Sequence, residues 1–410
     1  MQSCVTADLQ TDTQQMTSFT MCQARGTVMN ALWGMCAGDA MSMPVHWYYN
    51  TSDIPRDFSG WISGLNAPRE RHPSSILTLS NAAGSGRKAG SSGTRSPVVG
   101  KIILHDKLKF WLDQSGSVHY HQGLQAGENT LNTLCALRAI RVLIRGQFRS
   151  VADADARAAV LSDYVKFMTS PGSHDDTYAE SFHRSFFSDW QELRPTSPRE
   201  VLEFAEQRSK RMLYASFPDS QLNAIGCLPM AIPFVLLSAN EEEAVSAAVE
   251  FVNLTHPHPN LKKFVSLYAR VLYATLNGAC LKRQAETALK SPELDAWHTC
   301  QYFIERAERY PSSSEERLQV HQSAVASLGL ACYMQGALSS LFYLAYSFHN
   351  DVTEGILTNT NCGGENCNRG AALGALLGAR TAFVGSSVPQ RWKDGLRNAK
   401  EQISEILDDL

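Results

Sequence analysis

Apolar positions recur at helical spacing over most of the chain. Val28, Ala31, Leu32, Met35 and Cys36 fall at i, i+3, i+4 and i+7, which predicts a helix over residues 16–43. Pro44 stops it and presents His46 and Trp47 just beyond its end. Leu131, Leu134, Cys135, Leu137, Ile140 and Leu143 predict a second helix over 131–144. From residue 151 onward the same period predicts helices over 152–169, 201–213, 225–237, 241–254, 261–276, 291–309, 320–349, 371–379 and 392–410, with another beginning at His174. Only residues 48–126 break the pattern, as a long irregular section in which 98–104 and 107–112 read as short strands or as a strand and a helix. The fold class is therefore all-α, with a polar tail at 1–15 and one multi-helix domain at 16–410.

One stretch stands apart in chemistry. Residues 359–370 read Asn-Thr-Asn-Cys-Gly-Gly-Glu-Asn-Cys-Asn-Arg-Gly and feed a helix of Ala, Gly and Leu. Small residues let neighbouring helices approach closely, so this helix belongs at the centre. Gly363 and Gly364 permit backbone angles that other residues avoid. Behind them Glu365, Asn366, Cys367 and Asn368 crowd the helix N-terminus, where partial positive charge favours anionic and polar groups. Residues 127–130, Gly-Glu-Asn-Thr, have the same form ahead of the helix at 131. Two such caps point to one shared site.

Composition removes several alternatives. With 37 Lys+Arg against 40 Asp+Glu, net charge implies no polyanion-binding surface, so no nucleic-acid partner is expected. No apolar run is long enough to cross a bilayer, and residues 1–20 lack a signal core or Arg-rich presequence, so the expected compartment is cytoplasmic with no membrane partner. Ten cysteines without a CxxC pair suit reduced thiols. For Cys362 and Cys367, buried inert thiols are the expectation.

Further candidates lie outside the two caps. Residues 80–93 are rich in Gly and Ser, which reads as a flexible loop; Ser85 and Arg87 would serve a phosphate-bearing ligand if it closes over one. Asp175 and Asp176 are either dipole partners of a first helical turn or reserve carboxylates. His256 reads as a C-terminal cap, and His174 and His183, nine residues apart, do not read as a zinc pair.

Taken together the motifs resemble the ADP-ribosylglycohydrolase family, which includes the dinitrogenase-reductase-activating glycohydrolases and the J1 crystallins. The family's Gly-Gly-Asp-Thr-Asp-Thr and small-residue helix line up on residues 363–379, its Gly-Asp-Ala-Leu-Gly-x-Pro-x-Glu on 38–46, and its Thr-Asp-Asp-Thr on 127–130. The segment at 255–259 is similar to its Thr-His segment. The resemblance implies an orthogonal multi-helix domain and two magnesium ions held by the second and last motifs. Here His46 replaces an acid, Glu128 and Asn129 the Asp pair, and Glu365 and Cys367 the last two aspartates, with Asn366 and Asn368 for threonines. Magnesium needs octahedral oxygen ligation, and Cys367 is a soft donor, so one Mg2+ or none is expected rather than two. The implied function is hydrolysis of a ribosyl glycosidic bond in ADP-ribose-like small molecules or ADP-ribosylated substrates. Its expected catalytic groups are Glu128, Glu365, Asp175, Asp176 and His46, and its metal ligands Glu128, Glu365 and Asn368. Substrate contacts are expected from Asn129, Thr130, Gly363, Gly364, Asn366, Asn368, Ser85 and Arg87. The alternative is a pseudoenzyme of the same fold that binds a ligand or acts as a structural subunit with assembly partners.

Overall fold

The computed structural model describes residues 25–88 and 96–409, except the side chain of Leu407. The polar tail, residues 16–24 of the first expected helix, and residues 89–95 of the Gly/Ser run lie outside them. The described structure is helical, and β pairing within it is limited to isolated bridges such as Arg71 with Val118. No described helix is long and apolar enough to cross a membrane.

The helix over 25–42 and the helix Asn366–Thr381 cross backbone to backbone. Glycines four residues apart remove the side chains that would hold them off. A Cβ built on Gly34 would sit 2.0 Å from the Gly374 carbonyl oxygen, one on Gly38 2.1 Å from that of Gly370, and one on Gly378 2.2 Å from that of Asn30. Every residue from Asn366 to Ala379 is buried, as its small-residue composition predicts. The helices Cys227–Leu236, Leu261–Leu276, Met334–Ser347 and Val352–Asn361 close round it, and the Tyr268 hydroxyl donates to the Ala372 carbonyl at 2.8 Å. A second core gathers Leu131–Arg145, Ala154–Thr169, Ser181–Leu193 and Pro198–Leu213. The candidate site lies on the seam between the two.

Most expected helices are present within a few residues, and four are corrected. The span 320–349 is two helices, Glu315–Leu328 and Met334–Ser347, parted at Gly329, which has φ 159° and lies against Gly336. The span 291–309 holds Trp297–Ala307 only, because residues 291–295 form a turn with Asp295 at φ 45° after a separate helix Leu281–Leu289. Residues 392–410 divide into Gln390–Gly395 and Ala399–Asp409, with Asn398 at φ 55° between them. Residues 174–180 are not helical. Their helix starts at Ser181; Asp176 Oδ1 accepts from Tyr178 N two residues on, in a local turn, while the carboxylate also meets His121 and Leu131 N. In the irregular section neither 98–104 nor 107–112 forms a strand; the second holds the short helix Leu108–Trp111.

Buried neutral histidines make the fold acid-sensitive. Burial lowers His72 and His174 to about 4 and His321 to about 3, against an ordinary 6.5. The unfolded chain takes up these protons as pH falls through 6.5, while the folded chain refuses them down to about 4. Stability present above pH 6.5 is therefore lost as pH falls, by on the order of 2 kcal/mol per histidine at pH 5. Urea midpoints at pH 7.5 and pH 5 should differ by several tenths molar or more; equal midpoints would refute this account.

Candidate active site

The turn at Gly363-Gly364 brings the last motif against the end of the first. Both glycines have φ 62°, and a Cβ on either would meet a carbonyl oxygen at 2.2 Å, that of Tyr48 or that of Leu330. Trp47 is also left-handed, at φ 64°, an uncommon conformation for a bulky residue. The strain is held by two hydrogen bonds, Trp47 N to the Gly364 carbonyl at 2.8 Å and Gly364 N to the Tyr48 carbonyl at 2.9 Å. It aims the indole Nε1 at Glu365 Oε2, 2.7 Å away.

From Glu365 a buried polar seam runs in two directions. On one side Glu365 Oε1 meets His46 Nε2 at 3.1 Å, His46 Nδ1 lies 2.7 Å from His121 Nε2, and His121 Nδ1 lies 2.7 Å from Asp176 Oδ1. Asp176 Oδ2 then accepts from Leu131 N at 2.8 Å. On the other side Asn368 Nδ2 donates to Glu365 Oε1 at 2.8 Å and to Glu180 Oε1 at 2.7 Å. Asn132 Nδ2 adds a bond to Glu180 Oε1 at 2.8 Å, and His183 and Tyr164 continue the seam. Asp39 closes the arrangement by accepting from Asn129 Nδ2, Thr130 N and Thr130 Oγ1 at 2.6–2.8 Å. Two acids, Asp39 and Asp176, thus satisfy the first donors of the helix Leu131–Arg145.

Environment separates the two glutamates. Burial, together with the charge of Glu365, pushes Glu180 up to about 8. Burial would push Glu365 up as well, but His46, Asn368 and Trp47 outweigh it and hold it below the usual carboxylate range. At neutral pH Glu180 keeps its proton and Glu365 does not. Glu180 Oε1 is spent on the two amides, while Oε2 makes no hydrogen bond among the described residues. Glu180 lines a cleft of about 430 Å³ together with Trp47, Tyr120, Tyr178, Tyr333 and the exposed Arg87. It also borders an inner cavity of about 10 Å³ shared with His46, His121, Asp176 and Asn368. Such a space holds about one water.

The expected residues divide. His46, Asp176, Glu365 and Asn368 come together, joined by His121 and Glu180. Glu128 does not share this seam. Its Oε2 accepts from Gln125 N at 2.6 Å, its Oε1 lies 3.5 Å from Asn398 Nδ2, and it lines a different cavity with Asp175, which is exposed. Thr130 and Asn129 are engaged with Asp39, and Asn366 Nδ2 is turned to the Thr360 and Val45 carbonyls. The Asn366 Oδ1 and Ser85 Oγ atoms are buried without partners among the described residues. The turn Asn81–Gly86 is pinned, because the buried Arg184 donates to the carbonyls of Asn81, Gly84 and Gly86. His256 does follow its helix, with Nδ1 2.9 Å from Thr255 Oγ1 and its ring against Phe182. Cys362 and Cys367 are buried, and burial pushes both thiols up. Sequence reasoning missed Glu180, His121 and Asp39, and His121 carried no distinguishing signal. Glu180 could have been singled out as an acid just before a serine-started helix, and Asp39 as the acid inside the first motif.

The ADP-ribosylglycohydrolase family profile matches residues 23–410, nearly the whole chain. This chain belongs to that family. A solved structure titled ADP-ribosylglycohydrolase-related protein complex is similar at 16% identity with a TM-score of 0.48, covering 94% of this chain and 98% of that one. No curated protein matches significantly. A glycohydrolase-type function follows at the level of the ADP-ribosylglycohydrolase family.

That family typically binds divalent metals, and the donor set here can be tested against a magnesium pair. Both Glu365 oxygens are consumed, by His46, Asn368 and Trp47. Glu128 lies on another cavity, the Asn129 amide donates to Asp39, and Cys367 is soft. These residues do not fit two hard cations. Among the described residues the cluster able to hold a metal ion is His46, His121 and Cys367, whose ligand atoms all lie within 4.8 Å of one another.

Proposed function

We propose that the protein hydrolyses a ribosyl glycosidic bond, in an ADP-ribose-like small molecule or an ADP-ribosylated substrate, with Glu180 as the general acid. One observation carries this reading: two buried carboxyl groups, Glu180 pushed up and Glu365 held down, share the Asn368 amide, and Glu180 lines an aromatic cleft. Paired acids driven apart in pKa are the arrangement that glycoside hydrolysis uses. Glu180 gives its proton to the leaving group as the anomeric bond breaks; a water then adds to the anomeric carbon and its proton returns to the Glu180 carboxylate. Glu365, ionised across the Asn368 amide, offsets the positive charge that develops on the sugar. Tyr49 and Tyr333, the exposed aromatics of the cleft, supply faces on which a base or sugar stacks, over a packed wall of Trp47, Tyr120 and Tyr178, and Arg87 at the rim suits a phosphate. His46, His121 and Asp176 hold Glu365 in place from behind. No step is assigned to magnesium.

A second reading has its own support. Glu365 has no exposure and no free oxygen, an arrangement that also suits a protein that binds such a ligand without turning it over, or a structural subunit. Calorimetric titration of ADP-ribose, with and without magnesium, followed by an assay for ADP-ribose release from an ADP-ribosylated protein, separates the readings. Hydrolysis predicts binding that magnesium does not strengthen, with release. Binding without release moves the assignment to the second reading, and no binding in either buffer sinks both uses of the cleft for ADP-ribose.

A further inference from the structure

His46 and His121 lie nearly parallel, with ring centroids 5.0 Å apart and an interplanar angle of 8°. Each has a carboxylate on its far nitrogen: Glu365 Oε1 is 3.1 Å from His46 Nε2, and Asp176 Oδ1 is 2.7 Å from His121 Nδ1. A carboxylate in that position takes the ring N–H and leaves the other nitrogen with its lone pair. The two remaining nitrogens, His46 Nδ1 and His121 Nε2, then face each other at 2.7 Å. Two lone pairs repel at that distance unless an electrophile lies between them. Cys367 stands beside the pair: its Sγ and one ring nitrogen of each histidine all lie within 4.8 Å of one another.

We propose that His46 Nδ1, His121 Nε2 and Cys367 Sγ bind one thiophilic divalent cation of the zinc type, in place of a hard magnesium pair. Carboxylate-backed imidazoles are the usual way proteins orient histidine ligands, and an N,N,S set suits zinc rather than magnesium. In a tetrahedral zinc site two nitrogens sit about 3.3 Å apart, so on binding the rings part by several tenths of an ångström and each turns by roughly 35° to aim its lone pair at the metal. The inner cavity beside them, lined also by Asn368 and Thr130, has room for one water as the fourth ligand. Binding converts the Cys367 thiol to thiolate; its proton leaves to solvent, and the S–metal bond forms with the sulfur electron pair. This site does not depend on the hydrolase reading, because it is read by binding alone.

The full chain, dialysed against a chelator, is titrated with Co2+ as a spectroscopic probe and then with Zn2+ as a competitor. The expected result is one Co2+ per chain, with the visible bands of a tetrahedral site and a near-ultraviolet thiolate-to-cobalt band, all displaced by Zn2+ and untouched by millimolar Mg2+. Cys367→Ser should abolish the thiolate band, and Asp176→Asn, which keeps every ligand, should weaken Zn2+ binding about 10–100-fold. Failure of the wild-type chain to bind Co2+ or Zn2+ overturns the proposal and leaves a shared proton between the imidazoles. A folded Cys367→Ser chain that keeps the thiolate band overturns it too. If that variant does not fold, the wild-type titration decides alone.

Discussion

Replacing Gly374 by alanine is expected to cost the fold about 3 kcal/mol or more, although alanine is the better helix former. In a helix interior the exchange gains about 1 kcal/mol from backbone entropy. Against this, the new Cβ would stand 2.0 Å from the Gly34 carbonyl oxygen and 2.6 Å from its carbon. Those are backbone atoms of another buried helix, so no side chain can swing aside, and two helices must separate along their whole crossing. Overpacking of this kind typically costs about 1–3 kcal/mol and more where the neighbour is rigid. Gly26, in the same 25–42 helix, has no atom of the described residues within 4 Å of its built Cβ, and Gly26→Ala should be neutral or slightly stabilising. Denaturant midpoints of the two variants should therefore move differently. A Gly374→Ala chain as stable as wild type would remove the backbone crossing as the organising contact.

Glu180→Gln is expected to lower kcat for ribosyl hydrolysis about 10²–10⁴-fold, the range that loss of a general acid produces. The amide still accepts from Asn132 and Asn368 and fits under Gly226, where a larger group would not. A built Cβ at Gly226 would lie 2.4 Å from Glu180 Oε2. ADP-ribose affinity should therefore stay within a few-fold, which separates loss of chemistry from loss of structure. The pH profile supplies an independent reading. The acid form is the active one, and its proton is held to about 8, so the wild-type rate is present below that pH and falls as pH rises through it. A Glu180→Gln chain with undiminished kcat would exclude Glu180 as proton donor.

Periodicity alone recovered the helical class, because apolar stripes at 3.6-residue spacing survive wherever a helix has one buried face. The helix Leu261–Leu276 matches its expected span, since both its ends carry clear polar breaks. The same signal failed at Gly329, where two apolar helices follow one another and only the backbone contact with Gly336 forces a break. In the site, Glu365 and Asn368 were legible because they stand at a helix start among polar neighbours, His46 because it follows the proline that ends a helix, and Asp176 because it is one of two adjacent acids. His121 and Glu180 were not, since their roles come from contacts at sequence separations of 75 and 188 residues. Glu128 looked equivalent to Glu365 by motif; local geometry, a bond back to Gln125 N, turns it to another cavity.

The crossing of the 25–42 helix with Asn366–Thr381 also bears on how the chain acquires its structure. The contact joins residues some 340 positions apart, so the first helix leaves the ribosome long before its partner is made. Its apolar face, with Leu32, Met35 and Cys36 fully covered in the finished molecule, has no native cover during that interval. Nascent chains of this protein are therefore expected to occupy chaperones until residues 366–381 have been made. Truncation before residue 366 should yield aggregates rather than a smaller stable domain.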